Sequence, residues 1–183
     1  MFDPTAFENM KVVVEGAVYD HDFYGDIVVT NRQDLVNLAH LSRQFIMEME
    51  LKSPLSDTPV VGVVSLGANL ENLSAELLPN QSPFNEGSTI TVALKMARQL
   101  EGIQGGQLLT IIEGIWGSDR HIELINHTYR DNKNSQLTYT TECKISFGRL
   151  IKEEQMDDLT DMLDTLIESL KKTDGFLKTS TPM

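Results

Sequence analysis

Residues 107–150 read QLLTIIEGIWGSDRHIELINHTYRDNKNSQLTYTTECKISFGRL, and the way this stretch folds decides the architecture. Its clearest element is Leu137–Phe147. Leu137, Tyr139, Thr141, Cys143, Ile145 and Phe147 alternate with Thr138, Thr140, Glu142, Lys144 and Ser146. Successive strand side chains point to opposite faces, so this is the pattern of a half-buried strand. Asp131-Asn132-Lys133-Asn134 supplies a polar turn, which makes Arg120–Tyr129 the partner strand of a hairpin. Gly117-Ser118 suits a two-residue reversal with positive φ at the glycine. A third strand is then expected over Gln107–Trp116, giving a three-stranded meander followed by an amphipathic helix.

That register sorts the side chains. Leu109, Ile111, Ile115, Ile122 and Leu124 fall on the core side. Leu108, Thr110, Ile112, Trp116, His121, Glu123, Ile125, His127 and Tyr129 fall on the other. A face with so many large apolar groups calls for cover by a helix, a second subunit or a ligand. Ile112, Trp116, His121, Glu123, Ile125, His127 and Tyr129 are therefore the candidate ligand- or partner-binding residues. Glu113 is the misfit, placed opposite Ile122 on the core side. An unpaired buried carboxylate is costly, so a bulge at Gly114 is expected to turn it outward.

Composition narrows the functional classes. A chain of 183 residues with 40% hydrophobic and 23% charged residues suits one globular core. We expect one domain over 1–175 and a flexible tail over 176–183. The net charge of −12, with no basic cluster longer than Lys171-Lys172, argues against nucleic-acid binding. No apolar run reaches the length of a membrane span. Met1-Phe2-Asp3-Pro4 has neither the charged nor the apolar region of a signal peptide, so a cytoplasmic location is expected. The single cysteine, Cys143, excludes an intrachain disulfide and reads as a buried structural thiol.

Elsewhere the chain reads in shorter pieces. Lys11–Tyr19, with Val12-Val13-Val14, is expected to be a strand paired with Ile27-Val28-Val29. Thr30 to Gln33 resembles a capping box. A helix is expected from Arg32 to Leu51, with Leu35, Leu38, Ala39, Ser42, Phe45, Ile46 and Met49 as its stripe. Val60–Leu66 is an apolar strand, and Asn69 caps a short helix running to Leu78. Pro79–Gly87 is a loop. Ser88–Leu100 mixes β-branched and helix-forming residues and is assigned as helix. Lys152–Lys172 is a helix striped by Met156, Leu159, Met162, Leu163, Leu166, Ile167 and Leu170, stopped at Gly175.

Candidate chemistry is sparse. Asp20-His21-Asp22 holds metal-capable groups, but no further ligands at suitable spacing accompany them. His121 and Glu123 share a strand face and could exchange a proton, yet no nucleophile elbow is present. Val63–Asn69 has the strand–glycine–helix shape of a phosphate loop without its repeated glycines. No catalytic residue, metal or cofactor is assigned.

The expected fold is α+β: a mostly antiparallel sheet, built from an N-terminal hairpin and a C-terminal three-stranded meander, with helices chiefly on one face. The expected function is a non-enzymatic protein-interaction module acting as a homodimer. The alternatives are a small-molecule-binding protein or minor enzyme using the His/Glu/Trp face, or an acidic inhibitor of a basic protein.

Overall fold

A computed structural model describes residues 6–77, 86–133 and 136–180. The chain runs α1 (Ala6–Tyr24), β1 (Ile27–Asn37), β2 (Ser42–Leu51), β3 (Val60–Ala68), α2 (Leu70–Leu77), β4 (Thr89–Met96), α3 (Gly102–Trp116), β5 (His121–Arg130), β6 (Leu137–Ser146) and α4 (Asp157–Thr179). The strands form one six-stranded sheet in the order β1-β2-β3-β4-β6-β5, antiparallel throughout. Helices α1, α3 and α4 pack on one face, with α4 over β3 and in contact with both other helices. This is an α+β architecture. No helix is long and apolar enough to cross a membrane.

The stretch 107–150 folds differently from expectation at its start. Gln107–Trp116 is the end of helix α3, not a strand. Leu108, Ile112 and Trp116 recur every fourth residue and are buried together, the stripe a helix presents to a core. Gly117 does not turn a hairpin. Its φ of 87° ends the helix, and its N–H donates to Glu113 O at 2.9 Å. Glu113 is exposed on the outer side of α3, so no bulge is needed to rescue it. Seating the helix depends on Gly105, where an added Cβ would lie 3.0 Å from Leu124 Cδ2 of β5.

The N-terminal third is also rearranged. Residues 11–19 lie in α1, because Phe7, Met10, Val14 and Val18 are spaced as a helical stripe. Residues 32–51 are the β1–β2 hairpin, and Phe45, Met47 and Met49 alternate inward from β2. Asn37 Oδ1 accepts the N–H groups of Ala39 and His40 at its turn. Thr30 sits at a register shift between Val29 and Asn31 instead of capping a helix. Residues 89–96 form β4, with Ile90, Val92, Leu94 and Met96 turned into the core.

Other elements follow the sequence pattern. β3 lies where its apolar run places it, and β5 and β6 lie where alternation places them. At α2, Asn69 Oδ1 accepts the Asn72 N–H at 2.9 Å and Asn72 Oδ1 accepts the Asn69 N–H at 3.0 Å. Helix α4 buries Leu159, Met162, Leu163, Leu166, Ile167 and Leu170 of its expected stripe, with Met156 half-buried just before it, and continues through Gly175 to Thr179. Most of the expected loop 79–87, and residues 181–183 of the expected tail, lie outside the described residues.

Candidate interaction surface

Strand β5 is built by its alternation. Ile122 and Leu124 turn inward and pack against the core. Asn126 also turns inward and is fixed there. Its Nδ2 donates to Leu100 O at 3.1 Å, and its Oδ1 lies 2.6 Å from Thr141 Oγ1. That hydroxyl accepts the Leu100 N–H at 3.1 Å and lies 2.6 Å from Arg98 O. Asparagine and threonine thus tie β5 and β6 to the connection between β4 and α3. With inward positions pinned, His121, Glu123, Ile125, His127 and Tyr129 must face outward.

The structure therefore brings together only part of the expected face. His121, Glu123, Ile125, His127 and Tyr129 share the sheet face that carries no helix among the described residues. Ile112 is fully buried and Trp116 is 9% exposed, both in α3 on the opposite side of the sheet. The indole packs edge-on against Phe147, 5.6 Å between ring centroids, and is covered by its own chain. An indole and two imidazoles do not converge.

The outward residues form a mixed surface with β6. Glu123 lies opposite Lys144, Ile125 opposite Glu142, and His127 opposite Thr140. Glu123 Oε1 is 3.3 Å from His121 Nε2, and Glu142 Oε2 is 3.9 Å from His127 Nε2. The His127 and Tyr129 rings stack at 6.3 Å. Ile125 is 36% exposed and Tyr129 57%. Further in, a groove of about 310 Å³ has Ile46, Val63, Ala93 and Ile125 on its floor and Lys95, Lys144 and Glu142 along it. A neighbouring groove of about 470 Å³ is lined by Val61, His127, Tyr129 and Glu142.

The decisive property of β5 is its position. A strand at 107–116 would have flanked it. Because that segment is helical, β5 pairs with β6 on one side and with no strand on the other among the described residues. Sequence reasoning missed this, because edge status depends on what a neighbouring segment becomes.

The remaining candidates are structural. His21 Nε2 contacts Asp164 at 2.8 Å and its Nδ1 contacts Asp26 at 3.3 Å, joining the end of α1 to α4. Asp22 Oδ2 accepts the Val29 N–H at 3.1 Å. Burial pushes the Cys143 thiol up to about 12, with the Glu142 charge adding to it. A thiol held so far from ionisation at neutral pH is a poor nucleophile.

Comparisons with family models, curated proteins and solved structures returned no match.

Proposed function

We propose that the protein is a protein-interaction module that associates with a second copy of itself, and that the seam is the free edge of β5. One observation carries this reading. β5 is a ten-residue edge strand with no proline, no lysine and no bulge in its pairing. Such an edge offers unpaired backbone N–H and C=O groups to another strand, and chains that stay single blunt it.

The opposite edge, β1, is blunted. Its pairing shifts at Val29/Asn31. Its charges are tied back to α1, with Arg32 Nε 2.5 Å from Glu15 and Lys11 Nζ 2.9 Å from Asp34. Bulges and inward-pointing charged side chains are among the usual protections. Joined at β5, two sheets continue as one, and the two bare faces become a shared platform for further protein contacts.

Light scattering at micromolar concentration tests the reading. We expect twice the 20.5 kDa chain mass. We expect Ile125→Lys, at an exposed position, to give the single-chain mass while still unfolding cooperatively, at the temperature the native chain shows when diluted to single chains. A native chain that stays at the single-chain mass throughout contradicts the proposal.

A further inference from the structure

We propose that two copies pair β5 to β5 about a two-fold axis through Ile125, so that Glu123 of each chain lies opposite the partner's His127. This rests on the self-association just described and adds the register that gives it specificity.

In a two-fold antiparallel pair, facing residues share a sheet face, so the axis passes through a residue and not between two. Three centres keep the middle of β5 in the seam. An axis at Leu124 sets Glu123 against Ile125 and His121 against His127. An axis at Asn126 sets Ile125 against His127 and Glu123 against Tyr129. An axis at Ile125 sets Glu123 against His127 twice, His121 against Tyr129 twice, and Ile125 against itself. On the outward face, only this register joins Glu123 to a base and leaves Ile125 with an apolar partner. Opposite-charge and apolar cross-strand pairs favour association, and charge facing apolar does not.

The groups concerned remain available in the single chain. Glu123 is 45% exposed and touches His121, with Lys144 across the ladder. His127 is 43% exposed, with Glu142 at 3.9 Å and Tyr129 stacked beside it. The helix layer leaves room at the seam as well. Ile115 of α3 lines a cavity with Leu159 and Met162 of α4. Gly106 is nine residues away, which is half a turn round the helix from Ile115, and so faces away from α4. A Cβ added at Gly106 or Gly102 would meet nothing within 4 Å.

Cysteine cross-linking reads the axis. Residues paired with themselves sit roughly 5 Å apart at Cα, within disulfide range. Positions 121 of the two copies would be about 26 Å apart, eight residues of strand. The native Cys143 is fully buried and does not compete. We expect Ile125→Cys to cross-link to completion under mild oxidation at low micromolar concentration, and His121→Cys to stay uncross-linked.

Charge exchange reads the pairing. His127→Glu sets one carboxylate against the partner's Glu123 at each of the two symmetric contacts, and we expect dimer affinity to fall about tenfold. Adding Glu123→Lys restores it. Within one chain the new lysine faces Lys144, and Glu142 lies diagonal to both new side chains, so the two substitutions gain no direct pair with each other there. Thermal unfolding of each variant confirms that it folds. A native dimer in which His121→Cys cross-links as well as Ile125→Cys, or in which the double exchange stays weak, overturns the register alone. A native single chain overturns the dimer itself.

Discussion

Trp116 donates its indole N–H to Ser169 Oγ at 2.9 Å, and that hydroxyl donates onward to Thr165 O at 2.8 Å. The pair staples α3 to α4 inside the helix layer. It also explains why the tryptophan cannot belong to the open sheet face. A buried indole has one donor to satisfy, and Ser169, itself fully buried, satisfies it from the helical side.

Removing the acceptor exposes what the staple contributes. We expect Ser169→Ala to leave the indole N–H unpaired and lower stability by about 1–3 kcal/mol. Urea denaturation followed by tryptophan fluorescence measures this, and an unchanged midpoint would contradict it. Solution mass stays the same, because the staple lies inside the helix layer and contributes no group to the edge of β5.

Asp174 carries a second buried load. It is 1% exposed, and its carboxylate accepts the N–H groups of Leu55 at 2.6 Å and Ser56 at 3.0 Å. Both bonds hold the loop between β2 and β3 against α4. Asp174→Ala should cost about 3 kcal/mol, since it strands two amides that had a charged acceptor. Limited proteolysis should cut within 52–59 first. Cleavage elsewhere, at the native rate, would argue against this role.

Acid should loosen the packing of α1. The hydrogen bond from Lys11, reinforced by Arg43, holds Glu8 below its ordinary value of 4.5. Burial opposes ionisation of Asp34, but Lys11 and Arg43 outweigh it and hold the group below 3.8. His21, then Lys171, lowers Asp26 from the same value. A carboxylate lowered in the folded state stabilises it above its unfolded pKa, and that contribution is lost as pH falls through the folded value. Glu76, raised chiefly by burial, has the opposite sign and favours the folded state as pH falls. With three groups against one, the melting temperature should drop between about pH 5 and pH 3. In Glu8→Gln the drop should be shallower, and an identical acid profile would remove Glu8 from the account.

Another exposed apolar group competes with β5 as a seam. Leu35, Val36, Leu38 and Leu41 cluster at the β1–β2 turn, with Leu38 82% exposed. We expect Leu38→Ser to leave the dimer mass unaltered. A mass that falls to that of one chain would move the contact to the hairpin tip.

Part of this fold is written plainly in the residues. The Asn69 cap, the apolar run of β3, the stripe of α4 and the alternation of β5 and β6 all rest on local sequence signals, and each reads correctly. The misread segments are those where propensity and periodicity disagree. Val12-Val13-Val14 and Ile111-Ile112 favour strands by side-chain type, but the burial of Phe7, Met10, Val14 and Val18, and of Leu108, Ile112 and Trp116, follows helical spacing. The β1–β2 hairpin was hidden for another reason. Apolar residues such as Leu35 and Val36 sit on its exposed positions, which blurs the alternation. For the surface, parity alone places His121, Glu123, Ile125, His127 and Tyr129 together. Ile112 and Trp116 were attached through the geometry of one glycine, and Gly117 caps a helix instead.

Amide hydrogen exchange along β5, resolved residue by residue, tests the free-edge claim most directly. In a strand paired on one side only, alternate N–H groups from His121 to Arg130 point to solvent and exchange fast. We expect these alternate amides to be protected at high protein concentration to the level of their β6 neighbours, and to lose that protection in His127→Glu and on dilution. Fast exchange at every second residue of native β5, independent of concentration, would mean that no strand joins it.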